Sequence, residues 1–286
     1  MKTPKRIEPL VEDGLVDSVI RQLMSGKEAN VYVVRCGEEV RCAKVYKEAN
    51  QRSFRQSVEY TEGRKVKNNR RARAMEKGTK FGRSAQEEAW QSAEVATLFR
   101  LAAAGVRVPT PYNFLDGVLL MELVTDQKGE AAPRLGELTF TAEEATHYHR
   151  ALITQVVRML CAGVVHGDLS EYNVLLSDEG PVIIDFPQAV DAAGNSHAFD
   201  MLARDVANLA NYFGQFAPHL LTTDYSHEIW ALYQTGALTP ETPLTGTFKR
   251  SEAVVNIDEV LQVVDAAAKE EEERQRYKQE MEEQDR

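Results

Sequence analysis

The chain has 286 residues, 43% of them hydrophobic and 27% charged, with a mean hydropathy of −0.40. This marks a soluble globular protein with ample material for a buried core, and no run approaches the roughly 20 apolar residues that span a bilayer. The net charge of −10 excludes nucleic-acid binding by overall electrostatics, and Cys36, Cys42 and Cys161, without a CxxC pair, exclude a disulfide framework or a zinc site.

The segment from Met1 to Pro9 is polar and lacks the apolar centre of a signal peptide, so the expected location is cytoplasmic. Leu15, Val16, Val19, Ile20 and Leu23 recur at helical spacing and predict a helix over 10–24. Ser25-Gly26-Lys27-Glu28-Ala29-Asn30 reads as a turn into a strand at Val31. A tight connection at 36–39 leads to a second strand over 40–46 that carries Lys44. Residues 47–84 are polar and aperiodic, a long insertion with a basic run from Arg64 to Arg83.

A helical pattern resumes over 85–104 and stops at Gly105, with Pro109 and Pro111 beyond it. Asp116-Gly117 between two apolar runs signals a hairpin. Residues 125–138 read as loop. Thr141 with Glu144 forms a capping box that opens a helix reaching about Cys161, and Gly163 stops it. Two short apolar strands, 174–176 and 182–184, flank the turn Ser177-Asp178-Glu179-Gly180. Residues 199–234 are helix-rich, and a charged helix occupies the chain from Ile257. The expected organisation is α+β: an N-terminal helical segment (1–24), a strand-rich lobe (25–123) holding the insertion, a helix-rich lobe (124–235) and an extension (236–286).

The strongest chemical signal lies between His166 and Asp185. Asn173 immediately precedes one strand of the 174–184 hairpin and Asp185 immediately follows the other. In an antiparallel pair those two positions are neighbours. An amide oxygen and a carboxylate at one edge make a hard-oxygen site suited to Mg²⁺. Asp168, five residues before Asn173, sits in the loop that delivers the chain to that edge, where a carboxylate can orient an attacking hydroxyl for phosphoryl transfer. His166 reads as a residue that shapes this loop rather than a proton carrier, because Asp168 is better placed as base.

Lys44 is flanked by apolar residues in mid-strand, where an ammonium is costly to bury unless paired. Phosphotransferases solve this with a helical carboxylate that holds the lysine against the nucleotide phosphates. The helix over 85–104 offers Glu87, Glu88 and Glu94; Glu94 lies deepest in the apolar stretch, and Glu87 stays open as an alternative on the same face. The turn at Ser25 fits neither G-x-x-x-x-G-K-[ST] nor G-x-G-x-x-G, but its backbone N–H groups and Lys27 can face phosphate. The run from Leu119 to Val124 reads either as an ordinary core strand or as backbone that an adenine can bond.

Four ordered motifs, Ser25-Gly26-Lys27-Glu28-Ala29-Asn30-Val31-Tyr32, Ala43-Lys44-Val45-Tyr46, His166-Gly167-Asp168-Leu169-Ser170-Glu171-Tyr172-Asn173 and Ile184-Asp185-Phe186-Pro187-Gln188, resemble the RIO family of atypical serine/threonine protein kinases, its type-one branch above all. Arg204-Asp205 is similar to the family's helix after the metal loop, and the resemblance spans roughly residues 10–215. It implies a two-lobed kinase fold without activation segment or substrate-binding helices, using ATP and Mg²⁺. It implies that Ser25, Gly26 and Lys27 contact phosphates and that Val31 lines the nucleotide site. Glu122 and Val124 are then the adenine hinge and Met121 the gatekeeper. Lys44, Asp168 and Asp185 become the catalytic set, with Asn173 and Asp185 as metal ligands. In some relatives the metal-loop aspartate is itself phosphorylated, which makes Asp185 a candidate phospho-acceptor.

Two other functions compete with a protein kinase that acts on a protein substrate or on itself. A small-molecule kinase of the aminoglycoside or choline type also uses His-Gly-Asp with a later Asn and Asp. An ATP-gated binding factor for a ribonucleoprotein is motivated by the basic run Arg64–Arg83, although a solvated loop or a docking site for acidic peptides is the better reading of that run. The acidic tail, unlike the basic tails of relatives that mature small ribosomal subunits, argues against a ribosomal role.

Overall fold

The structure, a computed structural model, describes residues 3–47 and 80–248, with 80–90 described by backbone alone. The side chains of the basic run Arg64–Arg83 and the charged helix from Ile257 lie outside the described residues. The chain enters through a short helix α1 (Glu8–Glu12), then β1 (Ser18–Ser25), β2 (Ala29–Cys36) and β3 (Glu39–Tyr46). After the insertion come a long helix α2 (Lys80–Ala103), β4 (Pro111–Leu115) and β5 (Val118–Glu122). The five strands form one antiparallel sheet in the order β1-β2-β3-β5-β4.

Burial alternation sorts the two faces of this sheet. Tyr32, Val34, Ala43, Val45, Val118 and Leu120 pack on one face under Ile7, which precedes α1, and Leu10 within it. Lys44 points to the opposite face, where Val31 is its direct cross-strand partner on β2 and Leu119 on β5. A turn with positive φ at both central positions, Asp116 at 49° and Gly117 at 74°, joins β4 to β5. This is the twist-matched two-residue turn that Asp-Gly favours.

The second lobe is built on α3 (Ala142–Cys161), β6 (Val164–Val165), β7 (Val174–Ser177), β8 (Gly180–Ile183), β9 (Val190–Asp191), α4 (Ala198–Gly214) and α5 (Tyr225–Gln234). The capping box forms: Glu144 N–H donates to Thr141 Oγ1 at 3.2 Å, and Thr141 N–H donates to Glu144 Oε2 at 2.8 Å. Leu152, Val156, Leu160, Leu202, Val206 and Leu209 supply the buried stripes that join α3 to α4. Between Asp185 and α4 the chain makes only the β6–β9 bridge, so no further substrate-binding helix intervenes. Among the described residues no helix is long and apolar enough to cross a membrane.

One expectation is overturned. Residues 10–24 are not a helix, and the segment 1–24 is not an independent helical unit. Gly14, at φ 71°, follows the end of α1, and from Ser18 the chain is the edge strand of the sheet. Register shifts between Val19 and Arg21 and between Gln22 and Met24 interrupt the strand. Bulges of this kind break the alternation of period two, so Val19 is buried while Ile20, Leu23 and Met24 are exposed. The residual spacing imitates a helix.

Candidate active site

The β7–β8 hairpin sets one side of the site. Val174 pairs with Ile183, and Ile184 N–H donates to Asn173 O at 2.9 Å. Asn173 and the residue after Ile184, Asp185, therefore share one edge. The Asn173 amide is oriented by donation of Nδ2 to Asp168 O at 2.8 Å, which leaves its Oδ1 as an acceptor. Asp185 holds a positive φ of 70°, a backbone state uncommon for a non-glycine residue.

Lys44 reaches this edge from the sheet. Its Nζ bonds Glu94 Oε1 at 2.6 Å and Asp185 Oδ1 at 2.9 Å. The lysine and Glu94 side chains are 14% and 9% exposed, whereas Asp185 is 46% exposed. Burial opposes charge on Lys44, but Glu94 and Asp185 outweigh it and hold the ammonium protonated. Lys44 in turn holds the Asp185 carboxyl below the ordinary range. Glu94, preferred among the three helical carboxylates in the sequence, meets Lys44; the side chains of Glu87 and Glu88 lie outside the described residues.

The loop bearing Asp168 is clamped from beneath by α4. Asp205 Oδ2 accepts from Gly167 N–H and Oδ1 accepts from Leu169 N–H, both at 2.8 Å. Arg204 donates to Gly167 O at 2.7 Å and Asn208 to Leu169 O at 3.0 Å. Burial raises the Asp205 carboxyl to about 7 against the pull of these donors. His166 lies buried, accepting Asp168 N–H on Nδ1 at 3.3 Å and facing Ile184 O through Nε2 at 3.2 Å. Burial lowers its pKa to about 4, so it is a neutral strut between the loop and the edge that carries Asn173 and Asp185. Desolvation raises the Asp168 carboxyl above its usual range; the Asp185 charge adds to this and Arg204 opposes it.

The other singled-out residues lie along the five-stranded sheet, at its β1–β2 turn and on the chain leaving β5. Ser25 and Asn30 face each other across the β1–β2 turn, with Ser25 Oγ donating to Asn30 Oδ1 at 2.9 Å. Gly26 lies within the turn, and Lys47 Nζ props it by donating to Gly26 O at 2.6 Å. Lys27 is exposed at the tip. Val31 is buried on the Lys44 face, and Met121 pairs with Cys42 on β3. Glu122 donates its N–H to Thr110 O at 2.8 Å, and its carboxylate is held by Arg107. Val124 O accepts from Ala132 N–H at 2.9 Å, while the Val124 N–H has no partner among the described residues.

Asp205, Arg204, Asn208, Lys47 and Arg107 were not assigned roles from sequence. A signal for Asp205 existed. It shares a helical stripe with Met201, Leu202, Val206 and Leu209, and a carboxylate on a buried stripe demands a partner.

The donor set fits Mg²⁺ with a polyphosphate. Among the described residues no cluster of three His, Cys, Asp or Glu side chains suits a metal ion, but Mg²⁺ takes one or two protein oxygens and completes its shell with phosphate and water. Asn173 Oδ1 and the Asp185 carboxylate supply that number.

A RIO domain model matches residues 30–226. The chain is 36% identical over 208 residues to the RIO-type serine/threonine-protein kinase Rio1 of Haloferax volcanii, covering 72% of this chain and 67% of that one. It is 31% identical over 211 residues to serine/threonine-protein kinase rio1 of Schizosaccharomyces pombe, of which it spans 40%. The crystal structure of the Rio2 kinase–ADP/Mg²⁺–phosphoaspartate complex from Chaetomium thermophilum superimposes with a TM-score of 0.54 at 21% identity, covering 81% of this chain and 66% of that one, a likeness of fold. With the family match extending over most of the described chain, the protein belongs to the RIO family of atypical serine/threonine protein kinases and is similar to its Rio1 members.

Proposed function

We propose that the protein transfers the γ-phosphoryl group of ATP to a serine or threonine hydroxyl, on a protein substrate or on itself, in the cytoplasm. The observation that carries this is the convergence of Lys44, Glu94 and Asp185 at 2.6 and 2.9 Å beside Asn173. In this reading Lys44 holds the α- and β-phosphates and Glu94 fixes the lysine. Asn173 Oδ1 and Asp185 hold Mg²⁺, which neutralises phosphate charge when bound. Asp168 orients the acceptor hydroxyl and takes its proton as the O–P bond forms and ADP departs. Ser25, Gly26 and Lys27 cap the phosphates, the Val124 N–H and Glu122 O meet adenine, and Val31 and Met121 cover it. Lobe boundaries at 25–123 and 124–235, with β1 added to the first, accommodate these roles.

Incubation with labelled ATP and Mg²⁺ tests the assignment. Asp168→Ala is expected to abolish transfer and to leave nucleotide affinity unchanged, whereas Lys44→Ala impairs turnover by misplacing the phosphates. Normal transfer by the Asp168→Ala protein overturns the proposal. A second reading, in which the Asp185 carboxylate accepts the phosphoryl group, follows from the phosphoaspartate named for the Rio2 relative. It requires a hydroxylamine-sensitive acyl phosphate on the protein during turnover, and its absence removes that reading.

A further inference from the structure

Arg107 lies between α2 and β4, yet its backbone is held by the other lobe. Ile183 N–H donates to Arg107 O at 3.0 Å, and Arg107 N–H donates to Gln155 Oε1 on α3 at 2.9 Å. Ile183 is two residues before Asp185. The Arg107 side chain runs the opposite way, to the segment between the lobes. Nη1 and Nη2 bond the two Glu122 oxygens at 2.8 and 2.7 Å. Thr110 N–H and Oγ1 add bonds to Glu122 Oε2 at 3.0 and 3.2 Å. The Arg107 Nε is buried without a partner among the described residues, a penalty accepted where the fork reaches Glu122.

One residue thus connects the strand that ends in the metal edge with the segment that offers backbone to adenine. We propose that Arg107 is a positioning residue that fixes the span between Glu122 and Asp185, and so sets affinity for ligands that touch both ends. The inference rests on the nucleotide-site reading above. A ligand bound at one end meets the second end as an intramolecular partner, and the gain depends on a preset separation. A ligand that touches the hinge alone has no such dependence. Arg107→Met removes the fork to Glu122 together with the Nη1 donation to Val108 O at 3.2 Å and the 3.8 Å contact of Nη2 with Glu179, while the backbone bonds to Ile183 and Gln155 remain and the orphaned Nε is removed.

The test compares Mg²⁺·ADP, which spans the site, with adenosine, which occupies the hinge end. Affinities for the full chain are measured by calorimetry and by competition with a fluorescent nucleotide, with thermal melts alongside. Arg107→Met is expected to weaken Mg²⁺·ADP about tenfold, the scale of a lost charge-assisted fork, and adenosine by no more than about twofold. Arg107→Lys, which restores one of the two bonds, falls between. Glu122→Gln, which retains the hinge backbone, shifts affinity in the same direction and serves if the Arg107 variant does not fold. Equal loss for both ligands, or unchanged Mg²⁺·ADP affinity, overturns the inference. If the unsubstituted protein binds neither ligand, the nucleotide-site reading itself fails, a result distinct from failure of the Arg107 role.

Discussion

Asp205→Asn separates the architecture of the catalytic loop from its chemistry. The Asp205 side chain is buried and each oxygen accepts one backbone N–H, from Gly167 and from Leu169, at 2.8 Å. Asparagine has the same shape but one acceptor. Whichever way the amide turns, its NH₂ faces an N–H that then has no partner in a region water does not reach. An orphaned buried donor costs about 1–3 kcal/mol, and above pH 7, where the Asp205 carboxyl is ionised, the surviving bond also loses about 1 kcal/mol of charge assistance. The sum, about 2–4 kcal/mol, corresponds to a fall in Tm of roughly 5–15 °C for a domain of this size.

Catalysis is expected to suffer in a particular way. Asp168 lies between the two clamped amides, so loosening them displaces the carboxylate by a fraction of an ångström. Misplacement on that scale lowers kcat about 10- to 100-fold. The Lys44–Glu94–Asp185 cluster is not touched, and nucleotide affinity is expected to hold. Amide exchange at Gly167 and Leu169 reads the structural half, and steady-state kinetics reads the functional half. Unchanged exchange at both amides together with unchanged kcat would refute the reasoning.

Acid stability carries a second signature. Burial lowers both His149 and His166 to about 4, below their ordinary 6.5. The unfolded chain therefore binds protons in that window that the folded chain refuses, and stability falls as pH drops from 6.5 toward 4, by about 3 kcal/mol for each histidine. Asp205, raised to about 7, acts in the opposite sense, since the folded state retains its proton after the unfolded state has released it. The two histidines and Asp205 alone leave about one proton, about 1.4 kcal/mol per pH unit between 6 and 4.5; the raised Asp168 carboxyl flattens this further, and Asp205→Asn should steepen the slope. Urea titrations at several pH values decide it, with a flat profile counting against the buried histidines. Glu94→Gln retains volume but not charge, and is expected to raise KM for ATP and lower kcat, each by about tenfold or more, as Lys44 turns toward Asp185 alone. Wild-type kinetics in that variant would remove Glu94 from the site.

The features legible in the sequence are those whose partners lie close in the chain or follow from strand geometry. Ser177-Asp178-Glu179-Gly180 announces the β7–β8 hairpin, and the hairpin brings Asn173 beside Asp185 without further assumption. Thr141 and Glu144 cap a helix through contacts three residues apart. The edge strand β1 was misread because its two register shifts erase the period on which strand recognition depends. Asp205 and Arg107 escaped for another reason. Asp205 bonds backbone N–H groups 38 and 36 residues earlier, and backbone donors have no sequence identity. Arg107 pairs with Glu122 across 15 residues and a hairpin, a pairing that no periodicity encodes.

Lys44 holds two carboxylates of unequal burial, and in the proposed phosphoryl-transfer reading that inequality sets which bond yields when nucleotide binds. The Glu94 bond joins side chains 14% and 9% exposed. Removing one partner of such a pair costs about 3–5 kcal/mol, because it strands a charge away from water. Asp185 is 46% exposed, so water can replace part of what its carboxylate loses when the lysine turns away. Lys44 can therefore exchange Asp185 for phosphate oxygens at small cost while Glu94 keeps its aim unchanged. Asp185 loses little by the exchange, because the lysine has already held its carboxyl in the charged form a metal requires. The same ammonium thus prepares the carboxylate and then gives it up, and the direction of that exchange is set by burial rather than by distance, since the two bonds differ by only tenths of an ångström, at 2.6 and 2.9 Å.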